Sequence, residues 1–188
     1  MKAFKIVSGV IVSLVILAAM MYINYGGLST ISFQIKKEGG ETLVYQDMKG
    51  PYKNTGKAIN KISNDLERQF QIETDKEFGL FFDDPRKVKK SNLRSEVGCI
   101  LQNKDTTGFY WLKSKFNVRV CPVKDYITAE FPYKGKVSIM IGLMKVYPAL
   151  KKYVKLNGYT EARPIMEIYD MPNNKIFYRI EAVKINPM

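Results

Sequence analysis

Histidine is absent from this chain of 188 residues, tryptophan occurs once and cysteine twice. Without histidine there is no imidazole general base, no Ser-His or Cys-His nucleophile pair and no histidine metal ligand. Two cysteines, Cys99 and Cys121, are too few for a zinc cage, so neither a metal site nor a cofactor is expected and no catalytic group is assigned. Acidic residues are scarce beside basic ones, 18 against 30, for a net charge of +12. Such a surplus attracts nucleic acid, anionic lipid or acidic ligands without choosing among them. The basic residues are scattered, however, and cluster only at 87–90 (KVKK) and 151–152, with no zinc-finger spacing or basic-helix pattern. No nucleic-acid partner is expected; a basic surface near acidic phospholipid headgroups is.

Charge is missing altogether from residues 6–23, IVSGVIVSLVILAAMMYI. Eighteen residues at 1.5 Å each reach ~27 Å, close to the ~30 Å of a hydrocarbon core, so a transmembrane helix is expected. A cleaved signal peptide competes, because Lys2 and Lys5 supply a positive start, but its apolar region would be ~7–15 residues. No small-x-small site closes this run: Met20, Met21 and Tyr22 follow Ala18-Ala19. No cysteine precedes Cys99, which excludes a lipidated cysteine near the span. Tyr22 and Tyr25 stand where an interfacial aromatic belt would stand. Lys2, Lys5 and the α-amino group against Lys36 and Lys37 favour a single-pass topology with the domain on the outer, periplasmic or extracellular, side. There Cys99 and Cys121 are either a disulfide pair or two inert buried thiols.

Residues 1–25 are thus expected as an anchor and 26–188 as one domain, too short for two comfortable cores. Residues 31–48 read as two extended pieces around Gly39-Gly40. Ala58, Ile59, Ile62, Leu66 and Phe70 recur at helical spacing after an Asn54-Thr55 cap. Strands are expected at 78–82 and 93–101, a connecting loop at 104–115, and a long strand at 117–133 interrupted near Cys121-Pro122. Ile139, Leu143, Val146, Tyr147, Leu150 and Val154 mark a second helix that Pro148 kinks and Asn157-Gly158 ends. Two further strands cover 164–169 and 176–185. The order strand, helix, strand, strand thus occurs twice, at about 31–101 and 117–185. Gly50 and Gly135 are 85 positions apart, as are Leu93-Arg94-Ser95-Glu96-Val97 and Tyr178-Arg179-Ile180-Glu181-Ala182. The expected fold is α+β: a tandem β-α-β-β repeat forming one antiparallel sheet with two helices on one face, preceded by a transmembrane helix. The groove between the halves is the natural ligand site.

The segments VYQDMKGPY (44–52), FFDDP (81–85), LRSEVG (93–98), LNGY (156–159), PIMEIYD (164–170) and FYRIEAVKI (177–185) resemble, in order and spacing, the GyrI-like small-molecule-binding family. That family also forms the effector-binding half of AraC- and MerR-type regulators. The resemblance implies two β-α-β-β halves enclosing an aromatic pocket with a glutamate near its floor. The family's final-strand pattern, here Tyr-Arg-Ile-Glu, places that glutamate at Glu181, with Tyr178, Tyr169, Tyr133 and Phe131 as walls and Glu167 as the rival carboxylate. The ligand so implied is a hydrophobic, cationic small molecule, paired to a carboxylate that is costly to keep ionised in an apolar cleft. A branch of the family resembles hydrolases of cyclopropane electrophiles that use the glutamate as general base. That branch also uses a pocket tryptophan, and Trp111 lies outside the matched motifs, so binding rather than catalysis is expected. The remaining alternative is a protein-interaction adaptor with a vestigial pocket. An N-terminal span ahead of such a domain is also similar to an animal family of endoplasmic-reticulum-phagy receptors, whose role is not carried over; a bacterial setting is expected.

Overall fold

The computed structural model describes residues 2–101 and 112–185. Helix α1 is Lys2–Asn24, followed by β1 (Phe33–Glu38), β2 (Thr42–Lys49), a 3-10 turn (Tyr52–Asn54), α2 (Thr55–Phe70), β3 (Lys76–Phe81) and β4 (Arg94–Leu101). The second half comprises β5 (Asn117–Val120), β6 (Lys124–Pro132), α3 (Lys136–Leu156), β7 (Ile165–Asp170) and β8 (Lys175–Glu181). Most of the expected loop at 104–115, with Trp111, lies outside the described residues.

Helix α1 holds, within Phe4–Asn24, an 18-residue window of mean hydropathy 2.6 that is unburied by the rest of the chain. Among the described residues it is the one helix long and apolar enough to cross a membrane. Helix α2 buries Ile59, Ile62 and Leu66, a single stripe at helical spacing. Its start rests on the 3-10 turn, where the Thr55 hydroxyl donates to the Tyr52 carbonyl at 2.8 Å, while Asn54 makes no capping bond. Helix α3 runs through Pro148 to Leu156 and buries Ile141, Val146, Leu150 and Val154.

All eight strands form one antiparallel sheet in the order β1-β6-β8-β7-β3-β4-β2-β5. The halves meet where β3 pairs β7, with Gly79 opposite Glu167. Both helices pack on one face, over Val44, Val97, Ala129, Phe131 and Tyr178. The repeat is larger than the expected β-α-β-β, because each half begins with an extra strand that joins the other half: β1 pairs β6, and β5 pairs β2. Residues 31–48 therefore form no hairpin, and the break at Cys121-Pro122 separates two strands that lie far apart in the sheet order.

These crossings roll the sheet. A flat eight-stranded sheet would be roughly 33 Å wide, yet four peptide steps from Glu38 to Thr42, and four from Val120 to Lys124, reach only about 14 Å. The two edges must come together, and they do: the Gly40 N–H donates to the Cys121 carbonyl and the Cys121 N–H to the Glu41 carbonyl, both at 2.8 Å. The face turned away from the helices closes on a second apolar cluster, Leu43, Phe78, Ile100, Met166 and Ile168. Arg179 is held there between Glu38 and Glu41, and Arg119 pairs Glu96 over the Tyr45 ring.

Cys99 and Cys121 are both free and buried. They belong to clusters on opposite faces of the sheet, which excludes the disulfide alternative in this conformation. Burial pushes the Cys99 thiol up to about 11 and raises Cys121 as well. An alkylating reagent at neutral pH is therefore expected to label neither thiol in the native protein and both in denaturant, read by intact mass.

Candidate functional site

A groove of about 1020 Å³ opens between α2 and α3 over the centre of the sheet. Its position follows from the repeat: each helix covers its own half, and the seam between β3 and β7 is left uncovered. Strand alternation decides which side chains enter it. In β7, Ile165, Glu167 and Tyr169 point to the helix face, while Met166 and Ile168 belong to the opposite cluster. In β8, Ile176, Tyr178 and Ile180 are the buried helix-side positions.

Glu167 is the most deeply set carboxylate in the groove, 1% exposed. The Tyr147 hydroxyl donates to its Oε1 at 2.6 Å and the Tyr169 hydroxyl to its Oε2 at 2.8 Å. No basic side chain among the described residues pairs with it. Burial raises its pKa, and the two hydroxyls only partly offset that. Burial first, and the Glu167 charge second, push Tyr147 and Tyr169 well up, so both remain donors. Tyr133 lies 6.1 Å from Tyr169, and Tyr52 stacks edge-on to Phe81 at 4.8 Å on the other side of the groove. A second carboxylate, Glu77, lines the groove and is raised by burial. The mouth is basic, with Lys57, Lys136 and Lys151.

The residues expected from sequence divide into three groups. Glu167, Tyr169 and Tyr133 line the groove together. Tyr178 and Phe131 lie behind it in the core, each 1% exposed. Glu181 is elsewhere: it ends β8 facing away from the helices, half exposed, with both oxygens on Lys124 Nζ at 2.9 Å. The reason is parity, since Tyr178 and Ile180 take the helix face and residue 181 must take the other. Of the two carboxylates expected from sequence, Glu167 is the one that lines the groove. Tyr147, Tyr52 and Glu77 are not among the residues expected from sequence; helical spacing puts Tyr147 on the α3 inner face only as a packing residue.

Tyr178 approaches α3 at Gly142, where an added Cβ would lie 2.3 Å from the Tyr178 hydroxyl oxygen. That hydroxyl is buried without a hydrogen-bond partner. Gly142→Ala is expected to cost about 1–3 kcal/mol through overpacking, exceeding the ~1 kcal/mol gained in helix propensity. Tyr178→Phe removes the unpartnered hydroxyl, leaves stability unchanged or higher, and in the double variant recovers most of the loss, as chemical denaturation would show.

The rolled eight-stranded sheet with two helices on one face is an α+β architecture with a GyrI-like fold. The C-terminal domain of EcmrR superposes with a TM-score of 0.56 at 13% identity, over 82% of this chain and 99% of that one. SAV2435 bound to tetraphenylphosphonium superposes at 0.51 with 12% identity, over 82% and 94%. Human testis-expressed protein 264 is 26% identical over 173 residues, 86% of this chain and 53% of that protein. The chain spans about half the length of the curated relatives it matches. No family model matches it.

Proposed function

We propose that this chain is a membrane-anchored binding module that takes a hydrophobic cation into the groove between α2 and α3. Glu167 is the counter-ion, and Tyr133, Tyr147 and Tyr169 are the surrounding walls. The observation that carries this reading is the state of Glu167, a carboxylate sunk among aromatic rings and held by two hydroxyls with no cationic partner among the described residues. Ionising such a group is costly until a cation arrives, so ligand charge becomes the filter. Aromatic faces add ~0.5–2 kcal/mol each when a cation sits over them. The likeness to a fold neighbour solved with tetraphenylphosphonium supports a ligand of this class. The apolar helix α1 supports the anchor. In this reading Phe131 and Tyr178 shape the groove from behind, and Glu181 takes no part.

Calorimetric titration of the full chain in lipid nanodiscs with tetraphenylphosphonium, against empty nanodiscs, tests the proposal. A saturable heat corresponding to one site per chain is expected. Heats no different from those of empty nanodiscs would remove the reading.

A further inference from the structure

Helix α1 does not reach the domain through a loose tether. Gly26 and Gly27 are buried, and Gly26, at φ +94°, lies so close to β6 that an added Cβ would be 2.9 Å from the Phe131 ring. Lys145 Nζ on α3 donates to the carbonyls of Gly27 and Ser29, the latter at 2.7 Å, and Lys134 Nζ donates to the Asn24 side chain at 3.1 Å. Tyr25 packs against the core. The end of the apolar helix is thus fastened to the first half of α3.

That part of α3 is apolar where it should be polar. Met140 is 64% exposed, Met144 75% and Leu143 40%. Leu28, between the two carbonyls that Lys145 holds, is 70% exposed. At 100° per residue, Met140 and Met144 lie on α3 between Lys145, which grips the α1 exit, and Leu143, which lines the groove with Met140. An apolar ridge therefore separates the end of the span from the groove mouth, flanked by Lys134 and Lys136. Apolar residues beside lysines, continuous with a membrane-length helix, are the composition of a surface that lies in the headgroup layer.

We infer that the ridge of Met140, Leu143 and Met144, with Leu28, is seated in the interfacial layer of the bilayer that holds α1, ~5–10 Å into the headgroup and acyl boundary. The groove then opens at the membrane surface, where hydrophobic compounds concentrate. This rests on reading α1 as a span.

The test uses the full chain in liposomes of phosphatidylcholine and phosphatidylglycerol, with an environment-sensitive fluorophore at Met140→Cys, Met144→Cys or Leu28→Cys, and at Lys87→Cys as an exposed control. The native thiols are buried and stay unlabelled in the folded chain. Blue-shifted emission at 28, 140 and 144, quenched by lipids with a nitroxide near the headgroup, is expected, and none of it at 87. Met144→Asp, at an exposed position that folding tolerates, is expected to weaken quenching at 140. Emission at 140 and 144 matching that at 87, with the chain resisting alkaline carbonate extraction, would overturn the docking and keep the span. Release by carbonate would overturn both. A blue shift that grows with protein density but ignores nitroxide lipid would assign the ridge to a second copy and overturn the inference equally.

Discussion

Glu167→Gln is expected to lower the affinity of the groove for tetraphenylphosphonium by at least about thirtyfold, the lower end of the 2–5 kcal/mol lost when one partner of a buried charge pair is neutralised. Glutamine keeps the size of the side chain, and its amide oxygen can accept from one tyrosine hydroxyl while its amide nitrogen donates to the other, so the loss reports charge rather than collapse. Calorimetry on the two chains reads it directly, and equal affinities would take Glu167 out of the site. The sign of the pH effect follows from burial, which raises Glu167 above its ordinary 4.5. Cation binding needs the ionised form, so affinity falls as pH drops through this raised value, earlier than an ordinary glutamate would require. Folding shows the opposite dependence. A carboxyl with a raised folded pKa stabilises the fold below its ordinary value, and that contribution is lost as pH rises through the folded one. The ligand-free Glu167→Gln chain should therefore equal or exceed the natural chain in stability at neutral pH, while binding far less cation.

Phe131→Ala is expected to cost about 3–5 kcal/mol, the transfer energy of a buried ring plus the cavity it leaves, or roughly 10 °C in melting temperature for a domain of this size. Phe131 is 1% exposed. Its ring abuts two glycines from different parts of the chain, Gly142 of α3 and Gly26 at the exit of α1. Neither has a side chain to fill the gap, so little relaxation can recover the loss. Phe131→Leu, which refills most of the volume, is expected to cost under half as much and to leave cation affinity unchanged. A large affinity loss in Phe131→Leu would move Phe131 from the supporting core to the ligand wall.

Much of the fold was legible because periodicity is local. The helix stripes at Ile59, Ile62 and Leu66 and at Val146, Leu150 and Val154 are in the sequence, and so are the paired blocks that betray the repeat. What periodicity could not reveal was partnership. Residues 33–38 and 117–120 are clearly extended, yet which edge each would join depends on the opposite half of the chain, 86–96 and 72–78 positions away. The rolling of the sheet, and with it the burial of Arg179 between Glu38 and Glu41, follows from that choice.

The site was half legible for a related reason. Tyr133, Tyr169 and Glu167 are all candidates from the sequence. The family resemblance gives precedence to Glu181 through the Tyr-Arg-Ile-Glu pattern, whereas alternation from the buried Tyr178 sets residue 181 on the other face. Tyr147 could be read only as a core position, because a helix stripe looks the same whether it meets a sheet or a groove.

By itself, the sequence determined the apolar N-terminal stretch, the absence of histidine chemistry, the duplicated α+β architecture and the identity of the aromatic and acidic residues. Only the tertiary structure decided which glutamate is buried and which is solvated, because burial depends on how two halves meet and not on neighbours in the chain. It alone decided that the apolar N-terminal helix is fastened to α3, since that contact joins residues more than a hundred positions apart.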